Sequence, residues 1–173
     1  MVDAAVEVVG SRLAVCAVIG FPHGAALPAV KAVEAAFAVS QGAGELDVVV
    51  DLAAIAEDDL DALAAEVARV REAAPGVLLK AIVESALWSA PQLRAACEAA
   101  IAGGADFVKT STGFHPAGGA TLEAVGTMRA AVGRRAGVKA SGGIRSVAAA
   151  LAMIEAGADR LGLSATATIL AEL

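Results

Sequence analysis

Five charged residues sit inside short runs that are otherwise apolar: Asp47, Lys80, Glu84, Lys109 and Lys139. A strand buried on both faces holds an ammonium or carboxylate group only if that group pairs, reaches solvent or does chemistry. Any one of the five alone reads as a strand-end charge or a structural ion pair. Two of them, however, share an internal echo. Val108-Lys109-Thr110-Ser111-Thr112-Gly113 and Val138-Lys139-Ala140-Ser141-Gly142-Gly143 both read V-K-x-S-x-G, on consecutive strand-like runs. Neighbouring parallel strands lie about 4.8 Å apart, so equivalent positions bring the two ammonium groups within several ångströms. Two cations at about 6 Å, in an effective dielectric near 20, repel by roughly 3 kcal/mol, which lowers one pKa by about two. An unperturbed lysine is a free amine only about once in a few thousand at neutral pH. A neighbouring cation raises that fraction, and this activates a Schiff-base lysine. Asp47 and Glu84, on the two preceding strands, are placed to orient the second cation or to move protons to and from a carbinolamine, with Lys80 beside them. A buried ion-pair network without a reaction is the competing reading of the same residues.

Glycines follow the lysine strands. Gly142-Gly143-Ile144-Arg145 succeeds one, and Gly162-Leu163-Ser164 lies in the next, just before a short terminal helix. Loops after the last two strands of a (β/α) barrel commonly hold a phosphate, because glycine lets backbone N–H groups approach the anion. Arg145 adds positive charge. Taken alone, Gly142-Gly143 is also compatible with a simple tight turn.

The elements that must position these groups alternate regularly. Strand-like runs are expected at about 13–21, 45–52, 77–84, 106–111, 137–141 and 160–164, most of them apolar on both parities, as parallel strands buried on two faces are. Helical spacing joins Leu122, Val125, Met128 and Val132 on 121–135, and Val147, Leu151 and Ile154 on 146–158. Ser89 before Pro91 and Ser146 are candidate N-caps. Gly42-Ala43-Gly44-Glu45, Gly103-Gly104-Ala105-Asp106 and Gly157-Ala158-Asp159 each end a helix and open a strand. A βαβα series of this spacing forms a parallel sheet, either doubly wound or closing into a barrel. No GxGxxG or GxxxxGK[ST] follows the first strand, which leaves dinucleotide and P-loop readings without support.

Composition narrows the function classes. The 173 residues are 58% hydrophobic and 18% charged, which excludes disorder and suffices for one full core. The longest charge-free stretch, between Arg12 and Lys31, is interrupted by Gly20, Pro22, His23, Gly24 and Pro28, so no membrane span is expected. Asp3 and Glu7 follow Met1 where a secretory signal would carry positive charge, so a cytoplasmic protein is expected. A net charge of −6 without a basic run or aromatic platform argues against a nucleic-acid partner. Cys16 and Cys97 read as buried thiols, and two histidines, His23 and His115, cannot supply a usual zinc ligand set.

At these residues the sequence resembles the deoxyribose-phosphate aldolase family, class I (Schiff-base) aldolases on a TIM (β/α)8 barrel. The matching stretches are Val15 to Gly24 (VCAVIGFPHG), Glu45-Leu46-Asp47, Leu79 to Glu84 (LKAIVE), Gly104 to Gly113 (GADFVKTSTG), Gly137 to Arg145 (GVKASGGIR) and Ala152 to Gly157 (AMIEAG). The resemblance implies that Lys109 is the Schiff-base lysine, Lys139 the lysine that perturbs it, and Asp47 the carboxylate of the proton relay. It implies phosphate binding by Gly113, Gly142, Gly143, Gly162 and Ser164. The implied reaction is reversible cleavage of 2-deoxy-D-ribose 5-phosphate to glyceraldehyde 3-phosphate and acetaldehyde, with no metal or organic cofactor. The implied partner is a small phosphorylated sugar, and a homodimer is among the assemblies open to such a protein. Ala165 stands where the family usually has a second small hydroxyl residue, and His115 and Pro116 fill a loop that varies in the family.

The resemblance also implies eight strands, and only six are legible. Val2, Ala5, Val6 and Val9 have helical spacing, like the tail of the family's second helix, so a single barrel domain over 1–173 is expected to lack two N-terminal β/α units, including an acidic residue on the first strand. A late start or a cloned fragment accounts for this most simply. A natural fragment completed by another chain, and a non-catalytic relic that binds a sugar phosphate, are the alternatives. A different phosphorylated sugar as substrate also stays open.

Overall fold

The computed structural model describes residues 1–173. After α1 (Val2–Val9), the chain alternates β1 (Cys16–Ile19), α2 (Pro28–Ser40), β2 (Glu45–Val49), α3 (Leu52–Ala56) and α4 (Leu60–Ala73). It continues through β3 (Leu78–Ile82), α5 (Ala90–Ala102), β4 (Phe107–Lys109), α6 (Leu122–Val132), β5 (Gly137–Ser141), α7 (Val147–Glu155), β6 (Arg160–Gly162) and α8 (Thr166–Ala171). All six strands fall inside the runs expected from the sequence. They form one parallel sheet in the order β1-β2-β3-β4-β5-β6, a barrel-type arrangement curled but not closed, with helices packed on its convex side.

The caps explain where helices start. The Ser146 hydroxyl accepts from Ala149 N at 3.2 Å, and Thr121 accepts from Ala124 N at 3.1 Å. At Ser89, the backbone N–H and the hydroxyl both donate to Gln92 Oε1, with Pro91 in the first turn. The Gly-Ala-Asp punctuation carries a repeated device. Arg71 of α4 donates to the carbonyls of Gly104 and Val77 and pairs with Asp106, which also accepts from Leu79 N. Arg129 of α6 repeats this with Gly157, Ala136, Asp159 and Val138 N. Gly104 and Gly157 have φ of +96° and +114°, and a Cβ on either would press into the arginine stem. Glycine there lets the chain turn left-handed and lets the arginine lie across the turn.

The hydrophobic core lies between sheet and helices and is built from Leu46, Val48, Leu63, Val67, Leu79, Ala81, Val108, Val125, Met128 and Val138, among others. The opposite, concave face carries the charges. Asp47 is in register with Lys80, Ile82 with Lys109, Lys109 with Lys139, and Lys139 with Arg160. Edge strand β1 differs from expectation in one respect. Cys16 is exposed, because nothing pairs with β1 on its far side, and Val18 is 44% exposed on the same strand. Cys97 on α5 is buried as expected.

Candidate active site

On a flat sheet, β2 and β5 would be three steps, about 14 Å, apart. The concave curl and the length of two lysine side chains close that gap. Asp47 Oδ2 accepts from Lys109 Nζ at 2.8 Å and from Lys139 Nζ at 2.7 Å, while its Oδ1 accepts from Lys80 Nζ at 2.8 Å. One carboxylate, 2% exposed, thus holds three ammonium groups from β3, β4 and β5. Lys80 also reaches Glu45 at 2.7 Å, and Glu45 pairs with Arg160 of β6 at 2.5 Å, so charges alternate across the floor of the curl.

The floor is shaped by two further residues. Gly137 lies beside Phe107, where a Cβ would come within 2.2 Å of the ring. The ring occupies the space that a side chain on β5 would take, and Arg160 stacks over it at 5.3 Å from the centroid.

These surroundings set the ionisation. Burial alone would push the Asp47 carboxyl up, but the charges and hydrogen bonds of Lys109 and Lys139 prevail and hold it well below the usual carboxylate range. For Lys109, burial dominates and lowers the pKa, and the Lys139 charge adds to this against the opposing pull of Asp47. Burial acts on Lys80 in the same sense, but its bonds to Asp47 and Glu45 outweigh it and raise its pKa. Lys109 therefore gives up its proton more readily than Lys80 does. The Cys16 thiol donates to Asp47 Oδ1 at 3.1 Å; although the residue is exposed at the sheet edge, partial desolvation of its sulfur against the floor, together with the Asp47 charge, pushes it up to about 11. It is a protonated donor and not a thiolate nucleophile.

Lys109 and Lys139 open into a cleft of about 440 Å³. Its walls include all six residues expected to hold phosphate: Gly113, Gly142, Gly143, Arg145, Gly162 and Ser164. Gly142 and Gly143 have φ of +88° and +84°, and Gly119 packs so closely on Gly142 that a Cβ there would approach its carbonyl oxygen to 2.4 Å. This left-handed pair turns successive backbone groups toward the cleft without a side chain in the way. Ser141 is fixed below by its hydroxyl donating to Ser111 O at 2.7 Å and by the exchange of two bonds with Thr110.

Glu84 departs from its expected role. Its carboxylate accepts from Thr112 N and Oγ1 and makes no ion pair with any lysine, so it neither orients the second cation nor lies on the lysines' proton path. The strand carrying it ends at Ile82, and a left-handed turn at Glu84 swings its side chain along the sheet instead of into the curl. Conversely, Glu45, Arg160, Cys16 and Thr112 join the site without having stood out in the sequence. Arg160 and Glu45 sit at strand starts, where a charge reads as a boundary. Pairing across the curl is visible only in three dimensions.

Known proteins with the same organisation agree. Residues 9–170 match the profile of the DeoC/LacD family aldolases. A deoxyribose-phosphate aldolase of Corynebacterium diphtheriae is 56% identical over 167 residues, covering 95% of this chain and 76% of that protein. Among solved structures, the aldolase QR15 superposes with a TM-score of 0.93 at 42% identity, covering 99% of this chain and 76% of its own. A tetrameric deoxyribose phosphate aldolase from Aeropyrum pernix superposes with a TM-score of 0.88 at 36% identity, covering 99% of this chain and 71% of its own. The curled parallel sheet thus has its counterpart in solved aldolases, and this chain belongs to the DeoC/LacD family of aldolases.

Proposed function

We propose that this chain reversibly cleaves 2-deoxy-D-ribose 5-phosphate to D-glyceraldehyde 3-phosphate and acetaldehyde through a Schiff base on Lys109. The observation that carries this reading is the pairing of a lysine of lowered pKa with a glycine-walled, arginine-flanked cleft that starts at its ammonium group. The names of the C. diphtheriae and A. pernix relatives supply the substrate class.

In this mechanism the phosphate is held by backbone N–H groups of Gly142, Gly143 and Gly162, with Ser164 and Arg145 at the rim. Lys109, as the free amine, attacks the C1 aldehyde of the open-chain sugar. The carbinolamine loses water to give an iminium ion. The C3 hydroxyl gives up its proton to the Asp47 carboxylate, the C2–C3 bond breaks, and its electron pair passes into the iminium to form an enamine. Glyceraldehyde 3-phosphate leaves. Protonation at C2 and hydrolysis of the resulting imine release acetaldehyde and restore the amine.

Asp47 is the group that exchanges protons with the nitrogen, since its Oδ2 already contacts both Lys109 and Lys139. With both lysines charged it is a weak base. When Lys109 becomes a neutral amine or carbinolamine, one of the two cations that hold its pKa down is gone, and its basicity rises at the step that needs it. Burial, aided by the Lys139 charge, favours the neutral Lys109 amine, and Lys80 pairs with the other carboxylate oxygen.

The test is turnover. Coupled detection of glyceraldehyde 3-phosphate should report cleavage by the wild-type chain and none by Lys109→Arg, whose guanidinium cannot form the imine. Cleavage undiminished in Lys109→Arg would overturn the assignment. A panel of other phosphorylated aldoses that surpass 2-deoxyribose 5-phosphate would overturn the substrate.

A further inference from the structure

Glu84 is the least expected acid in the molecule. It is 1% exposed, has φ of +51° in the left-handed region that non-glycine residues avoid, and has no cationic partner. Both its carboxylate oxygens go to one residue. Thr112 N lies 3.2 and 3.3 Å from Oε1 and Oε2, and the Thr112 hydroxyl donates to Oε2 at 2.6 Å. That hydroxyl in turn accepts from Phe114 N at 3.1 Å. On either side of Glu84, Val83 N and Ser85 N donate to Lys109 O and Thr110 O at 3.0 and 2.7 Å. The segment after β3 is therefore laddered to the segment after β4, and the left-handed turn at Glu84 is what aims the carboxylate at Thr112.

We infer that Glu84 is the positioning residue of the phosphate subsite: it clamps Thr112 so that Gly113 is held open against the Gly142-Gly143 turn. Gly113 has φ of +83° and nothing near its missing Cβ, and its Cα lies 3.7 Å from where a Cβ on Gly142 would be. Thr112 and Gly113 line the cleft together with Gly142 and Gly143. A buried negative charge beside an anion site is tolerable because both oxygens are consumed by donors and turned away from the cleft. A carboxylate suits this clamp, since it presents acceptors only, and charged acceptors bind N–H and O–H more strongly than an amide does. This inference rests on the cleft holding the phosphate of the substrate, as proposed above.

The experiment uses Glu84→Gln, which keeps the shape but turns one acceptor into a donor facing the Thr112 N–H. Thr112→Val removes the hydroxyl bond from the other side, and Thr112→Ser restores it. With 2-deoxyribose 5-phosphate, Glu84→Gln and Thr112→Val should each raise KM by about tenfold with kcat within about threefold, and Thr112→Ser should resemble wild type. With 2-deoxyribose, which lacks the phosphate, the fractional loss of kcat/KM should be smaller by at least about fivefold. Binding of inorganic phosphate, measured by calorimetry, should weaken in parallel with the KM effect. Equal losses on both substrates, or unchanged phosphate binding in folded Glu84→Gln and Thr112→Val, would overturn the inference. If the wild type cleaves neither sugar, the aldolase reading fails by itself, and the phosphate titration alone decides the role of Glu84.

Discussion

Lys109 and Lys139 are register partners on adjacent parallel strands, and both ammonium groups end on the same oxygen of Asp47, at 2.8 and 2.7 Å. Two like charges share one counter-charge. Burial lowers the Lys109 pKa and the Lys139 charge adds to this, while Asp47 both holds the pair together and limits how far the shift can go.

Replacing Lys139 by methionine removes the neighbouring cation and keeps the stem. Lys109 should then hold its proton more tightly, since the Lys139 charge is one of the causes that lower its pKa. The acidic limb of the kcat/KM profile should move to higher pH, with activity at pH 7 reduced and partly regained in alkali. A profile that only scales down, with no shift of the limb, would show that Lys139 acts otherwise.

Asp47 links the site to acid stability. Its folded pKa lies below the ordinary value of 3.8, so its contribution is fully present above that value and is lost as pH falls through the lower, folded one. Denaturant midpoints should therefore decline below about pH 4 more steeply in the wild type than in Asp47→Asn. The variant should be less stable at neutral pH as well, since three ammonium groups lose their shared partner.

Gly137→Ala tests the floor of the curl. The new Cβ meets the Phe107 ring at 2.2 Å, and overpacking of this kind typically costs about 1–3 kcal/mol. Thermal unfolding should show the loss, and Phe107→Leu should relieve much of it in the double variant.

A second buried pair lies outside the site. Lys31 on α2 is fully buried, bonded to Glu66 of α4 and to Val49 O at 2.8 Å, while Glu66 Oε2 accepts from Asp51 N at 2.8 Å. Lys31→Met leaves Glu66 without its cation and should destabilise the fold by about 3–5 kcal/mol. The double variant Lys31→Met/Glu66→Leu should recover a large part, as measured by chemical denaturation.

Much of this organisation is legible in the chain. The six strands and the V-K-x-S-x-G echo follow from local pattern, because parallel strands buried on both faces concentrate valine and isoleucine, and charges within them stand out. The grouping of Lys109, Lys139 and Asp47 was expected from equivalent strand positions. What stayed hidden depends on the curl. The Glu45–Arg160 pair spans β2 to β6, and no spacing along the chain encodes that closeness. The apolar run that contains Glu84 extends two residues past the end of β3 into a left-handed turn, so membership of the run does not fix where the carboxylate goes. The apolar neighbours of Cys16 predict a buried thiol, whereas burial of an edge strand depends on what lies beside it.

The central claim is that Lys109 carries the covalent intermediate. The direct measurement is borohydride reduction of the chain in the presence of 2-deoxyribose 5-phosphate or acetaldehyde, followed by proteolysis and peptide mass mapping. A single reduced adduct is expected on the peptide containing Lys109, absent in Lys109→Arg and not transferred to Lys139 or Lys80. No adduct on folded protein, or an adduct on another lysine, would contradict it.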